Sequence, residues 1–438
     1  MQSRPSPPQG PKLRIAIVKD GETFPHLCAP WTLRIGNLAR EMARRGHQVT
    51  WYSSTFMHNE KELYAPEETV EEREEGYRMH LLHAGTYQKN ISWARWLHHA
   101  RLAWRLYPTL RAAGDLDVVV CCIPILECAA ACMLFCKQHR VPLVLDIQDP
   151  WPQTFVTHAP PSLRPLVRTV LAPYFYGSSQ LFGRADSLVA CSAGFLNWAQ
   201  RLGRRPGERC SRDRVIYHGA HQAAAQIPPD PMVPTRGLRS IYMGAFGGIY
   251  NLEPIAELAE AQAARGDDHH FFLVGQGGER YQRLKARLEG LPNVTFTGWM
   301  PREAVYALAR TCHLGWLPLD SDTEDFLPNK PFEYAALGLA VATSSSGESG
   351  RLVTEHGLGF RYDTLAREEF LARVCELTPE SEQLRQWRQR GQEFSRLAGD
   401  AQVCIEQFGD HVERVAACSR GEGVMGPASG SGGGSGRG

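Results

Sequence analysis

Residues 325–341 read DFLPNKPFEYAALGLAV, and this stretch holds more functional groups than a core helix needs. An acid (Asp325), a proline, a lysine (Lys330) and a second acid (Glu333) precede an alanine-rich turn and a glycine. Pro328 and Pro331 favour an extended approach and a helix start near Asn329 to Phe332. Gly338 fits the helix end. Lys330 and Glu333, three apart, share a face of the first turn. A lysine there opposes the helix dipole unless an anion sits at the same end. A glutamate bonded to a vicinal diol gains on the order of 1.5–3 kcal/mol per charged hydrogen bond. The plainer alternative is a solvated helix start with an incidental Lys–Glu pair, and the surrounding sequence must decide.

Outward from this stretch, buried-strand patterns alternate with helical ones. LRIAIVKD leads through a helix over TLRIGNLAREMARRG to HQVTWYSS, and DVVVCCI, PLVLDIQD, DSLVACS and DRVIYHG follow. After AAAQIPPDPMVPTRG the alternation restarts with RSIYMGAF, HHFFLVGQG, VTFTGW, LGWLPL and LAVATS. Apolar strands joined by helices imply parallel α/β architecture, here two Rossmann-like parallel-sheet domains facing each other across a cleft. A chain of 438 residues also exceeds one ordinary core. The expected division is a disordered N-terminus over 1–11 and a first domain over 12–222. A linker over 223–237 and a second domain over 238–396 follow. Helices over 397–418 cross back to the first domain, and 419–438 form a flexible Gly/Ser tail.

With 43% hydrophobic and 22% charged residues the composition is that of an ordinary globular protein. A formal net charge of +1 gives no global attraction to nucleic acid. MQSRPSPPQGPK lacks the apolar segment of a signal peptide, and the twelve cysteines point to a reducing, cytoplasmic setting. Cys128, Cys132 and Cys136 recur every four residues, but no histidine pair or CxxC completes a zinc set, so they read as packing residues.

Doubly wound sheets bind ligands beyond the carboxyl ends of their strands. YMGAFGGIY places Gly244, Phe246, Gly247 and Gly248 there, and LVGQGGE places Gly275 and Gly277. Such turns let backbone amides approach an anion, and the following helix adds about half a unit of positive charge. Turn geometry alone demands the same glycines, and no P-loop or G-x-G-x-x-G spacing is present. Trp299 and Met300, after VTFTG, are placed to pack on a nucleobase, although a tryptophan there also suits the core.

At LPNKPFEYAALGLAVATSSSGESGRLV the chain resembles the retaining glycosyltransferases of family 4, which have the GT-B fold. The likeness extends through IYMGAF, LVGQGGER and VTFTGWMPREAVYALAR, and in the first domain through RIGNLAREMARRGHQVTWYSS. VLDIQDPWPQTF is similar to a stretch of the subfamilies that build bacterial surface polysaccharides, both exopolysaccharide and lipopolysaccharide. The resemblance implies that Glu333 binds the donor ribose, with Lys330 and Asn329 at the diphosphate. It puts Asp325 beside the transferred sugar, where the family usually has glutamate. The loop after the second domain's first strand lacks the Arg and Lys of many relatives, leaving charge neutralisation to amides, Lys330 and the helix start.

On the acceptor side the resemblance marks Gly21, Arg34, Gln148 and Trp151. Asp149 is either a general base or a turn cap. Arg34 also suits a simple salt bridge. The implied activity is metal-independent transfer from a nucleotide sugar, UDP- or GDP-linked, to a saccharide or polyprenyl-linked acceptor, with no further cofactor. Alternatives are a sugar-nucleotide epimerase of the same fold or a weakly catalytic binding relative. NISWARWLHHARLAWRLYPTLR suits either a packed helix or peripheral contact with the inner membrane face.

Overall fold

The computed structural model describes residues 11–233, 236–320 and 327–421. Of the expected tails over 1–11 and 419–438, residues 1–10 and 422–438 lie outside these residues, as does Asp325, while Ser419 still belongs to the last helix.

Two parallel sheets carry the chain. The first runs in the order Arg214–Val215, Ser187–Ala190, Leu143–Ile147, Val118–Ile123, Arg14–Val18, Gln48–Ser54, Arg78–Leu82, Thr69–Glu72. All its neighbours are parallel except the last pair. The second runs Val294–Gly298, His269–Val274, Leu238–Met243, Leu314–Leu317, Ala340–Thr343, Gly359–Arg361, parallel throughout. In each sheet the chain starts at a central strand, fills one side and then the other. This creates a switch point, between Arg14–Val18 and Val118–Ile123 in one sheet and between Leu238–Met243 and Leu314–Leu317 in the other.

Helices cover both faces of each sheet, so central strands such as VVVCCI and LVLDI are buried at every position. The alternation of the sequence does not reveal three strands of these two sheets, nor the short pair Phe56–Met57 and Glu62–Leu63. Thr69–Glu72 is a half-exposed antiparallel edge, Arg78–Leu82 mixes polar and apolar residues, and Gly359–Arg361 is only three residues long. Cys128, Cys132 and Cys136 lie in the core on helix Leu126–His139, where burial pushes their thiols up.

The chain crosses between the sheets twice, at adjacent points. Ala220 bridges Asp400, with the Ala220 amide donating to Gly399 at 2.8 Å and the Ala401 amide to Ala220 at 3.0 Å. Gly219 (φ +69°) allows this approach, because a Cβ there would lie 2.7 Å from the Ala401 nitrogen. Helix Ala401–Ser419 then packs on the first domain, with Phe408, Val412 and Ile405 in the same cluster as Leu38 and Met42. Ala224, between the sheets, packs into the second domain's core.

Candidate functional site

Helix Lys330–Leu337 ends at Gly338 (φ +78°) and is fixed from below by Tyr334. The Tyr334 ring lies over Gly315, where a Cβ would meet it at 2.5 Å, and its hydroxyl donates to the Trp316 carbonyl at 3.0 Å. Position 315 must therefore be glycine for the helix to seat this deeply. The first turn then presents Lys330 and Glu333 at the strand ends.

The Lys330 ammonium lies 3.9 Å from the centroid of the Tyr250 ring and 5.8 Å from that of Tyr242. A Cβ on Gly244 would come within 2.9 Å of it, so the glycine makes room for the lysine. Burial pushes this ammonium down to about 8, partly opposed by the charge of Glu333. Among the described residues Lys330 makes no ion pair closer than this aromatic contact. Glu333 accepts a hydrogen bond of 3.0 Å from the Tyr306 hydroxyl, which comes from helix Arg302–Ala309.

Around this turn the ends of three strands converge. The Gly244 amide donates to Val274 at 3.0 Å and the Gly275 amide to Gly298 at 2.9 Å. A Cβ on Gly275 would fall 2.1 Å from the Gly244 carbonyl oxygen. Gly247, Gly248 and Gly277 have open space where a side chain would be. Phe246 turns its ring into the core against Tyr242 and Tyr281, leaving only its backbone toward a ligand. Trp299 is exposed, Met300 packs partly on the core, and Asn329 is exposed at the helix start.

The first domain turns its own strand ends toward this group. Asp149 accepts from Trp151 Nε1 at 3.0 Å and from the Thr154 hydroxyl at 2.6 Å, so it caps its turn, and burial raises its carboxyl. Gln148 accepts from Lys19 Nζ at 2.8 Å and donates to Asp146 at 2.8 Å. Arg34 forms the salt bridge that its position also suited. Its guanidinium is buried in a two-pronged pair with Asp146, at 3.0 Å each, and also donates to the Ile216 and Tyr217 carbonyls at 3.0 Å. The helix that starts at Arg34 needs this interior anchor, and Phe408 stacks 4.7 Å from it. Gly21 (φ +78°) follows Asp20, which is buried and pairs with His98 at 3.1 Å. Burial would raise the Asp20 carboxyl, but the His98 contact and the Ser54 amide outweigh it and hold it well below the usual range.

Sequence reasoning missed several groups here. Nothing in the helical pattern of its segment singles out Tyr306. His218 follows the last strand of the first sheet, and burial, with Arg34 and Lys19 nearby, lowers it to about 3 and keeps it neutral. Asp20 and Lys19 stand at a strand end the doubly wound rule singles out, and that was their signal. Several side-chain contacts join the domains, Tyr217 on Phe332 among them. Glu348 accepts from the Ala193 and Gly194 amides at 2.8 Å each. Trp31 donates to Glu303 at 2.6 Å while its ring meets Tyr306 edge-on at 5.3 Å. No cluster of three or more His, Cys, Asp or Glu side chains able to hold a metal occurs among the described residues.

Residues 241–379 match the profile described as glycosyl transferases group 1, and residues 32–210 match a glycosyl transferase 4-like domain. No curated protein sequence matches the chain significantly. Solved structures share the fold. Sucrose-phosphate synthase from Thermosynechococcus elongatus is 15% identical with a TM-score of 0.70, over 93% of this chain and 100% of that one. HepE from Anabaena, in complex with UDP-glucose, is 14% identical at a TM-score of 0.60, over 92% and 100%. WaaG, a glycosyltransferase involved in lipopolysaccharide biosynthesis, is 15% identical at 0.59, over 91% and 99%. Both halves of the chain thus answer to one enzyme class, and the protein belongs to the GT4-like glycosyltransferases of GT-B fold.

Proposed function

We propose that the enzyme moves a sugar, with retention of anomeric configuration, from a nucleoside-diphosphate sugar to a saccharide or lipid-linked saccharide in surface-polysaccharide assembly. The observation that carries this reading is the partly buried Lys330 ammonium, set one helical turn from Glu333 beside Gly244. Transfer leaves charge on a nucleoside diphosphate, and preorganised donors at that position lower the barrier most. Lys330, the amides of Gly247 and Gly248 and the start of helix Lys330–Leu337 supply these donors without calling on a metal ion. Glu333, oriented by Tyr306, takes the ribose hydroxyls. Trp299 and Met300 flank the base, and the resemblance gives Asp325, outside the described residues, a role at the transferred sugar.

On the facing domain, Asp149 holds Trp151 and Thr154 and so orients the acceptor loop, with Gln148 and Gly21 beside it. UDP-linked donors are favoured, since the similarly folded HepE was solved with UDP-glucose. The twelve cysteines, none of them in a disulfide, suit a reducing cytoplasm. A thermal-shift screen of UDP- and GDP-sugars, followed by a nucleoside-diphosphate release assay, tests the reading. A rise in Tm with one donor class and release dependent on acceptor are expected. No shift and no release with any donor would overturn it.

A further inference from the structure

Trp31 belongs to the first domain by sequence but to the second by packing. It lies between helices Pro25–Cys28 and Arg34–Arg44. Its side chain is nevertheless buried in the second domain's apolar cluster, where it is 7% exposed. Helix Arg302–Ala309 receives it along one face. The Arg302 guanidinium lies 5.4 Å from the indole centroid, and Glu303 accepts from Nε1 at 2.6 Å. One turn further, the Tyr306 ring meets the indole at 88° with centroids 5.3 Å apart. His221 closes another side, edge-on at 5.9 Å.

The segment that carries Trp31 is fixed at its root. Thr32 is buried, and its carbonyl accepts from Asn37 Nδ2 at 2.8 Å and from His221 Nε2 at 2.7 Å. Beyond it, Glu22 accepts from the Ile35 and Gly36 amides at 2.9 Å each, which pins the start of helix Arg34–Arg44. The indole therefore moves with the first domain. Tyr306 moves with the second, and its hydroxyl donates to Glu333 at 3.0 Å. A phenol swings about two side-chain torsions, and an indole packed against its ring restricts that swing. A carboxylate aimed by such a phenol is only as well placed as the shell behind it.

We propose that Trp31 is a positioning residue of the donor site: by fixing Tyr306 it aims Glu333. A side chain of the first domain thus sets the affinity of a nucleotide whose ribose the second domain holds. The proposal rests on the reading above that Glu333 takes the ribose hydroxyls. Coupling of this kind is reciprocal, so a nucleotide on Glu333 also favours the seating of Trp31.

Calorimetric titration of the full chain with UDP and with dideoxy-UDP, which lacks the ribose diol, tests it. Trp31→Leu should weaken UDP binding about fivefold, the loss expected for Tyr306→Phe. The two changes together should weaken it no further, because Trp31 acts through the hydroxyl that Tyr306→Phe removes. Dideoxy-UDP should bind each variant as it binds the unaltered protein, whereas a general loosening of the fold would weaken both nucleotides. Trp31→Phe, which keeps a ring against Tyr306, should recover most of the affinity. If Trp31→Leu fails to fold, Arg302→Ala with Glu303→Ala replaces it. Both residues are exposed, and their loss should loosen the indole and weaken UDP about threefold. Additive losses at Trp31 and Tyr306, equal losses for the two nucleotides, or UDP affinity that none of these variants alters would overturn the proposal alone. If UDP does not bind, or Glu333→Gln leaves its affinity unchanged, the ribose reading falls and the proposal with it.

Discussion

A carboxylate that clamps a diol must keep both oxygens aimed, and the Tyr306 hydroxyl holds one oxygen of Glu333. Glu333→Gln should weaken UDP affinity by about 1.5–3 kcal/mol, on the order of 10- to 100-fold. Tyr306→Phe should cost only about 1 kcal/mol, because the hydroxyl orients and does not bind. Calorimetric titration with UDP checks both, and equal losses would mean that Tyr306 touches the nucleotide. Lys330 yields a pH prediction. Its ammonium titrates at about 8 in the free enzyme, and a diphosphate favours the charged form, so its folded, unliganded state is the one that loses the proton. Binding should therefore be constant below that pH and weaken by about tenfold per unit above it, until the bound state also deprotonates. Lys330→Met should bind weakly and without this dependence.

At the scale of elements, helix Lys330–Leu337 is positioned by what it rests on. Gly315→Ala drives a methyl into the Tyr334 ring, so the helix must lift. We expect a loss of about 1–3 kcal/mol in urea unfolding and a matching fall in donor affinity, although position 315 touches no ligand. Unchanged affinity would show that the helix finds its place without Tyr334. This helix was legible because local chemistry bounds it: Pro331 at the start, Gly338 at the end, and a lysine that is costly without an anion. The strand-end loops were legible from parallel-sheet logic, as were most central strands. Tyr306 was not, since its partner lies 27 residues away on another helix and its own segment, VYALAR, reads as core. For Arg34 the two expectations, an acceptor-side role and a salt bridge, stayed open because helix periodicity cannot show that Asp146, from a distant strand, waits beneath it. Glu348 and Trp31 act only once two separately folded sheets face each other, and no local pattern encodes that.

For the whole molecule, the Glu348 carboxylate caps helix Ala193–Gly203 of the opposite domain. Glu348→Ala uncovers two helix amides and should cost about 1–3 kcal/mol. It should also widen the average separation of the domains, read as a larger radius of gyration by small-angle scattering; no change in either would remove Glu348 from domain closure. The pairing of Ala220 with Asp400 gives this closure its form. Two polypeptide crossings spaced apart would resist rotation as a frame does, whereas two laid side by side make a door with a single pin. The second domain is then a leaf inserted in the middle of the first, whose last panel is the final helix. A stop codon near residue 400 would therefore strip the wall and leave the leaf whole, so the damage from a C-terminal truncation would appear first at the opposite, N-terminal half.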